Sequence, residues 1–216
     1  ARIADKFLVD GTLVSTVGAS EGRDEKRAKA PGTEPPYPLV VLVSGNSASA
    51  SEIVAGALKN NDRALIVGQQ TFGKGSVQLV FPDITPEKAA LKLTIAQYLT
   101  PGDISIQGVG VTPDIELDPM TVDEVEMDLT VRKDGVRERD LSAHLLNSRA
   151  VPAGKPGEVV RYAFPSTERE AMRERGREVA DDEFQLDFPI KFARDLAMRM
   201  PANTKRLDQL RAVRDF

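Results

Sequence analysis

The feature that most limits the fold is a pair of short, unbroken apolar runs, Leu39 to Ser44 (LVVLVS) and Ala64 to Val67, with a stretch of helical character between them. Such runs lack the alternation of a half-solvated strand and are too short for a buried helix, so they suit strands covered on both faces. Between them, Ser49 to Asn60 sets Ile53, Val54, Ala57 and Leu58 along one side of an amphipathic helix. Strand, tight turn, helix and strand make a βαβ unit, which places ligands beyond the carboxyl ends of its strands. Ser44 to Ser49 lies at that end.

The flanking sequence extends this unit into a mixed sheet. Ala1 to Asp10 reads as a short helix, and Gly11 to Gly18, β-branched between glycines, as a strand. Ala19 to Pro38, charged and then rich in Pro and Gly, reads as a solvated loop. Ser76 to Phe81 alternates, with Val77, Leu79 and Phe81 on one face; Ala89 to Leu99 continues as a longer strand, and Pro101-Gly102-Asp103 is a turn. Ile104 to Asp118 reads as the exit from an α/β core spanning residues 1–118. Over 119–216 the composition becomes more charged. A hairpin is expected within Glu126 to Gly135, a solvated helix over Thr167 to Ala180, and two closing helices over Phe184 to Met200, where Pro189 marks the start, and Thr204 to Phe216.

Composition narrows the chemistry by exclusion. The formal charge of -4 arises from 29 basic and 33 acidic residues spread along the chain, so no basic field for nucleic acid forms. The absence of cysteine removes disulfides, thiolate metal sites and a cysteine nucleophile. The one histidine, His144 in DLSAHLLN, would have to serve any Ser-His-Asp triad, yet it sits in the polar segment after the core and reads as a surface or structural residue. With a single histidine and carboxylates at no ligand spacing, neither a metal site nor a cofactor is expected.

A serine and a lysine remain. Ser49 stands in SASAS where the helix begins, and Lys74 lies between Gly73 and Gly75 on a turn that feeds a strand. A serine hydroxyl needs a base to take its proton, and a lysine amine can be that base if burial lowers its pKa from about 10.4 toward the working pH. Phe72 and Leu79 are expected to supply the apolar surround. The helix start also offers free N–H groups and the dipole to an oxyanion. Plainer readings stand beside this one. Ser49-Ala50-Ser51-Glu52 is a capping box, Ser47 and Ser51 share the setting, and a lysine on a glycine turn is commonplace. Gly68 to Lys74 also meets the first positions of a phosphate loop, GxxxxGK. Gly75 stands where Ser or Thr belongs, however, and a strand follows where a helix belongs, so no nucleotide is expected.

VVLVSGNSASASEIVAGAL, followed by ALIVGQQTFGKGSVQ, closely resembles the core of the C-terminal processing peptidases, or tail-specific proteases. The likeness extends through IADKFLVDGTLVSTVG upstream and LKLTIAQYLTP and GVGVTPDIEL downstream, about the first half of the chain, with weaker echoes in DLSAHLLN and FARDLA. The resemblance implies Ser49 as nucleophile, Lys74 as general base and Gln78 as the group that orients the amine; Asn60 occupies the place where other members carry an aspartate. It further implies an oxyanion donor at the Ala50 N–H, a partial Clp-protease/crotonase-like core with a smaller, mostly helical C-terminal region, and a periplasmic or cell-envelope setting. The implied activity is cleavage of protein or peptide substrates near their C-termini, without cofactor, nucleotide or nucleic acid; a homo-oligomer is compatible. The PDZ domain and the glycine-rich oxyanion segment usual in the family are not in this sequence. The chain is therefore expected to be the C-terminal part of a larger protease, weak or inactive by itself. The alternative is a non-catalytic interaction or assembly module that retains the peptidase fold.

Overall fold

Two sheets share one helix. In the computed structural model, which describes residues 1–18, 22–83, 89–122, 127–128, 136–142, 145, 154–165 and 188–214, the first sheet contains β1 (Thr12–Gly18), β2 (Arg23–Arg27), β5 (Ser76–Phe81), β6 (Leu91–Thr100) and β7 (Ile104–Ser105). It is antiparallel, in the order β2-β1-β6-β5 with β7 on β6. The second contains β3 (Val40–Val43), β4 (Leu65–Gly68), β8 (Ile115–Val122), β9 (Met127–Asp128) and β10 (Glu158–Pro165). Its order is β10-β8-β4-β3, all parallel, with β9 antiparallel on β8. The helices are α1 (Arg2–Asp5), α2 (Ala50–Asn60), a single 3-10 turn (Glu138–Asp140), α3 (Phe188–Arg199) and α4 (Arg206–Ala212).

The expected βαβ unit is β3-α2-β4, with Val40 opposite Leu65 and Val43 opposite Gly68. Every residue of β4 is buried because its alternate side chains enter different layers. Ile66 packs with Val43, Ala55, Ile106 and Val111 on the α2 side. Leu65 and Val67 pack on the opposite face with Ile115, Leu117, Leu196, Met200 and Leu210, so α3 and α4 close that side of the sheet. Full burial of each of these β4 side chains contributes about 1.5–3 kcal/mol. Helix α2 reaches both sheets, touching β1, β6 and β4. It approaches β6 so closely that a Cβ on Gly56 would lie 2.4 Å from Thr100 Cγ2.

Several expectations are corrected. β3 is an edge strand and is not buried on both faces: Leu42 is 40% exposed. Within the expected 19–38 loop, Arg23–Arg27 forms β2, although each of its residues is exposed. Its charged side chains reach across to the neighbouring strand and turn, Arg23 to Ser15 Oγ (2.8 Å) and Asp103 (2.6 Å), and Glu25 accepts from Thr12 Oγ1 (2.9 Å). Residues 115–118, read as the end of an exit from the core, open β8, which lies between β4 and β10. β10 itself was not anticipated. Met127–Asp128 pairs with β8; the remainder of the expected hairpin, apart from these two residues, and the whole Thr167–Ala180 helix lie outside the described residues. The two closing helices form as α3, beginning beside Pro189, and α4.

Candidate functional site

The turn that leaves β3 is built from serine hydrogen bonds. Ser44 N–H donates to Ser47 Oγ (3.1 Å), Ser47 N–H to Ser44 O (2.9 Å) and Asn46 N–H to Ser44 Oγ (3.3 Å). The Ser47 hydroxyl is thereby engaged in the turn, and Ser51 lies exposed on α2. Ser49, half-buried at the N-cap of α2, has φ 54° and ψ -111°. A positive φ is costly for a residue with a side chain and is found where surrounding contacts enforce it, often at functional positions. Ala50 opens the helix, so its N–H is among those that a helix leaves without an intrahelical acceptor.

The contacts that enforce this geometry converge on Glu52. Its side chain is fully buried. Glu52 Oε2 accepts from Ser49 N–H (2.9 Å), as in one half of a capping box, and also from Lys74 N–H (2.8 Å). Glu52 Oε1 accepts from Thr71 Oγ1 (2.5 Å) and Gly73 N–H (2.7 Å). One carboxylate thus joins the serine's turn to the lysine's turn. The rest of the lysine turn is held as firmly: Gly73 O accepts from Gly108 N–H (2.8 Å), Gly75 O from Tyr98 N–H (2.7 Å), and Gly75 N–H donates to the buried Gln107 Oε1 (2.9 Å). Thr71 Oγ1 also accepts from Val111 N–H (2.7 Å). Gly110, at φ +76°, lets the next loop approach, since a Cβ there would fall 2.3 Å from Thr71 O.

Glu52 is the residue that sequence reasoning underrated. The capping-box pattern accounted for its bond to Ser49, but its reach to residues 71–74 carries no local signal. Gln78 lies on β5, half-buried, and its Nε2 donates to Thr94 Oγ1 (3.4 Å). Among the described residues, neither Gln78 nor Ser49 Oγ takes a hydrogen bond from Lys74 Nζ. Asn60 is committed elsewhere, donating through Nδ2 to Thr100 Oγ1 (3.1 Å) and Pro101 O (3.2 Å). Leu79, expected beside the lysine amine, is 47% exposed, which corrects its assignment as apolar cover; Phe72 is half-buried. In the phosphate-loop pattern, the Gly73 and Lys74 amides point at Glu52, and β5 follows in place of a helix. His144 lies outside the described residues.

The far end of α2 carries a second ionic cluster. Buried Asp114 accepts from Ile66 N–H (2.9 Å) and pairs with Lys59 Nζ (3.2 Å) and Arg206 Nη1 (2.5 Å), while Arg206 Nε reaches Asp62 (3.3 Å). Lys59 Nζ also donates to Thr112 O. Burial pushes the Lys59 amine below its ordinary range, partly offset by Asp114. A cavity of about 460 Å³ opens elsewhere, between β10 and α3, lined by Val159, Phe188, Phe192 and Val213 among others. It contains none of Ser49, Lys74 or Gln78. The described residues hold no cluster of three or more metal-ligating side chains.

Fold and site together define a mixed α/β protein in which a serine at a helix start is tied, through one buried carboxylate, to a glycine-flanked lysine turn. The chain belongs to peptidase family S41, whose profile matches residues 1–117. It is 51% identical over 115 residues to a carboxy-terminal-processing protease of Bartonella bacilliformis, covering 52% of this chain and 26% of that protein. It is 44% identical over 115 residues to a chloroplastic C-terminal processing peptidase of Tetradesmus obliquus, covering 53% and 24%. A solved structure, the photosystem II D1 C-terminal processing protease, is 39% identical with a TM-score of 0.46, covering 54% of this chain and 30% of that one. The chain spans about a quarter of the length of these curated relatives.

Proposed function

We propose that this chain contributes the nucleophile and base of a C-terminal-processing serine endopeptidase of the cell envelope, with a Clp-protease/crotonase-like core over residues 1–118 and an extension over 119–216. The observation that carries the reading is the convergence of the Ser49 and Lys74 amides on a single oxygen, Glu52 Oε2, at 2.9 and 2.8 Å. Neutral Lys74 takes the Ser49 Oγ proton as the oxygen attacks the scissile carbonyl of a protein substrate. The tetrahedral oxyanion accepts a hydrogen bond from the Ala50 N–H. Collapse releases the amine, to which Lys74 returns the proton, and water repeats the sequence on the acyl-enzyme. Gln78 supplies, through its side-chain carbonyl, an acceptor that orients the lysine amine.

The test is labelling of the folded chain with a serine-directed fluorophosphonate, followed by mapping of the modified residue. Slow labelling at Ser49 is expected of this chain by itself, lost altogether in Ser49→Ala, which removes the reacting oxygen, and falling to background in Lys74→Ala, since members of a catalytic unit fail together. Wild-type labelling in a folded Lys74→Ala variant refutes the base. Silence of the wild-type chain favours a non-catalytic module that retains the fold.

A further inference from the structure

We infer that Glu52 is a positioning residue, the strut that sets the separation of the nucleophile and the base; this rests on the Ser49–Lys74 reading above. A helix cap requires only one acceptor for the N-cap amide and no burial, because exposed caps perform that task throughout proteins. Glu52 goes well beyond that requirement. It is 0% exposed, and three of its four hydrogen bonds run to Thr71, Gly73 and Lys74, not to its own helix. All four partners are donors, so both carboxylate oxygens act as acceptors. The division between the oxygens matters most. Oε1 holds Thr71 and Gly73, whereas Oε2 is shared by the main chains of the two reacting residues themselves.

This arrangement has two mechanical consequences. Movement of the lysine turn away from α2 must break a bond to the same atom that holds Ser49 in its positive-φ conformation, so the separation of the two residues is fixed while both bonds to that atom are made. The Ser49 N–H is also occupied, which leaves the Ala50 N–H as the donor on this side of the scissile carbonyl. The neighbouring loop is shaped around the strut, for Gly110 passes against Thr71 where a side chain would not fit. Both turns are therefore referenced to one rigid group, as preorganised catalysis requires.

Glu52→Gln preserves the size of the side chain but turns one acceptor oxygen into an amide that faces two donors. Glu52→Asp preserves the charge but falls one methylene short of spanning both turns. Each variant is assayed in the full chain by fluorophosphonate labelling of Ser49, separating the inactivation rate from the probe's binding constant, alongside thermal unfolding. The expected result is a rate about 100-fold lower, as for an ångström-scale misplacement, with the binding constant within about twofold of wild type and the folded fraction unchanged. A purely structural role would lower labelling only in proportion to the folded fraction lost. Full labelling rates in both variants overturn the inference while leaving the Ser49–Lys74 reading intact; lysine-independent labelling of the wild type sinks that reading instead. Should neither variant fold, hydrogen exchange in the wild-type chain decides: the Ser49, Gly73 and Lys74 amides are expected to be strongly protected, and rapid exchange at Ser49 or Lys74 overturns the strut.

Discussion

The ionic cluster at the far end of α2 makes a sharp prediction for Asp114→Asn. Asp114 is 4% exposed and is the shared counter-charge of Lys59 and Arg206, whose side chains are only 19% and 16% exposed. The asparagine fits the space. Its carbonyl is claimed by the Ile66 N–H, so its amide nitrogen must face the two cations. Breaking a buried pair by removing one partner costs about 3–5 kcal/mol because the remaining charge is left uncompensated. The residual exposure of both cations argues for the lower end, about 3 kcal/mol. For a chain of this size that corresponds to a fall in Tm of roughly 6–12 °C. Urea unfolding followed by circular dichroism should show a lower midpoint at unchanged slope. Arg206→Met leaves Asp114 with Lys59 and the Ile66 amide and should cost less than Asp114→Asn. The double variant should be less destabilised than the sum of the singles by more than about 0.5 kcal/mol, as for groups in one network. A loss below about 1 kcal/mol in Asp114→Asn, or strict additivity, would refute the claim that α4 is latched to α2 through this carboxylate.

That latch illustrates what local sequence can and cannot carry. The β3-α2-β4 unit was legible because its apolar runs and the stripe Ile53, Val54, Ala57 and Leu58 are periodic signals within a single segment. Ser49 and Lys74 were legible as residue types in small-residue settings. The strand β2 was hidden, because RDEKR has neither alternation nor apolar content and is ordered by pairing with β1 and by ion pairs to Asp10 and Asp103. β8 was misread for a different reason. The Pro113-Asp114 step just before it suggests an exit from the core, yet Ile115 and Leu117 are buried by α3 and α4, which arrive from the distant end of the chain. Glu52 and Asp114 show the same limit at the level of single residues. Each is a carboxylate whose partners lie far away in sequence, residues 71–74 in one case and Arg206 in the other. Composition and spacing record that a carboxylate is present; only the fold decides which amides and cations it serves.

Two further perturbations test how tightly these networks are built. Gly110→Ala would place a Cβ 2.3 Å from Thr71 O at φ +76°, combining backbone strain with overpacking for a cost of about 3 kcal/mol; an unchanged urea midpoint would show that the loop is not pressed against Thr71. Lys59→Met probes the buried amine through its pH dependence. Burial holds the folded-state pKa of Lys59 below its ordinary 10.5, while the unfolded chain keeps the ordinary value. Between those two values the unfolded state binds more protons, so this residue's contribution to stability rises with pH across that window. The penalty for the buried charge is present in full below the folded-state pKa and has vanished above 10.5. Lys59→Met lacks this titration but shares the chain's other titrating groups, so the stability difference between wild type and variant isolates it. That difference should move in favour of wild type as pH approaches 10.5 from below. A difference that stays flat or moves toward the variant means that attraction to Asp114 outweighs burial at this amine.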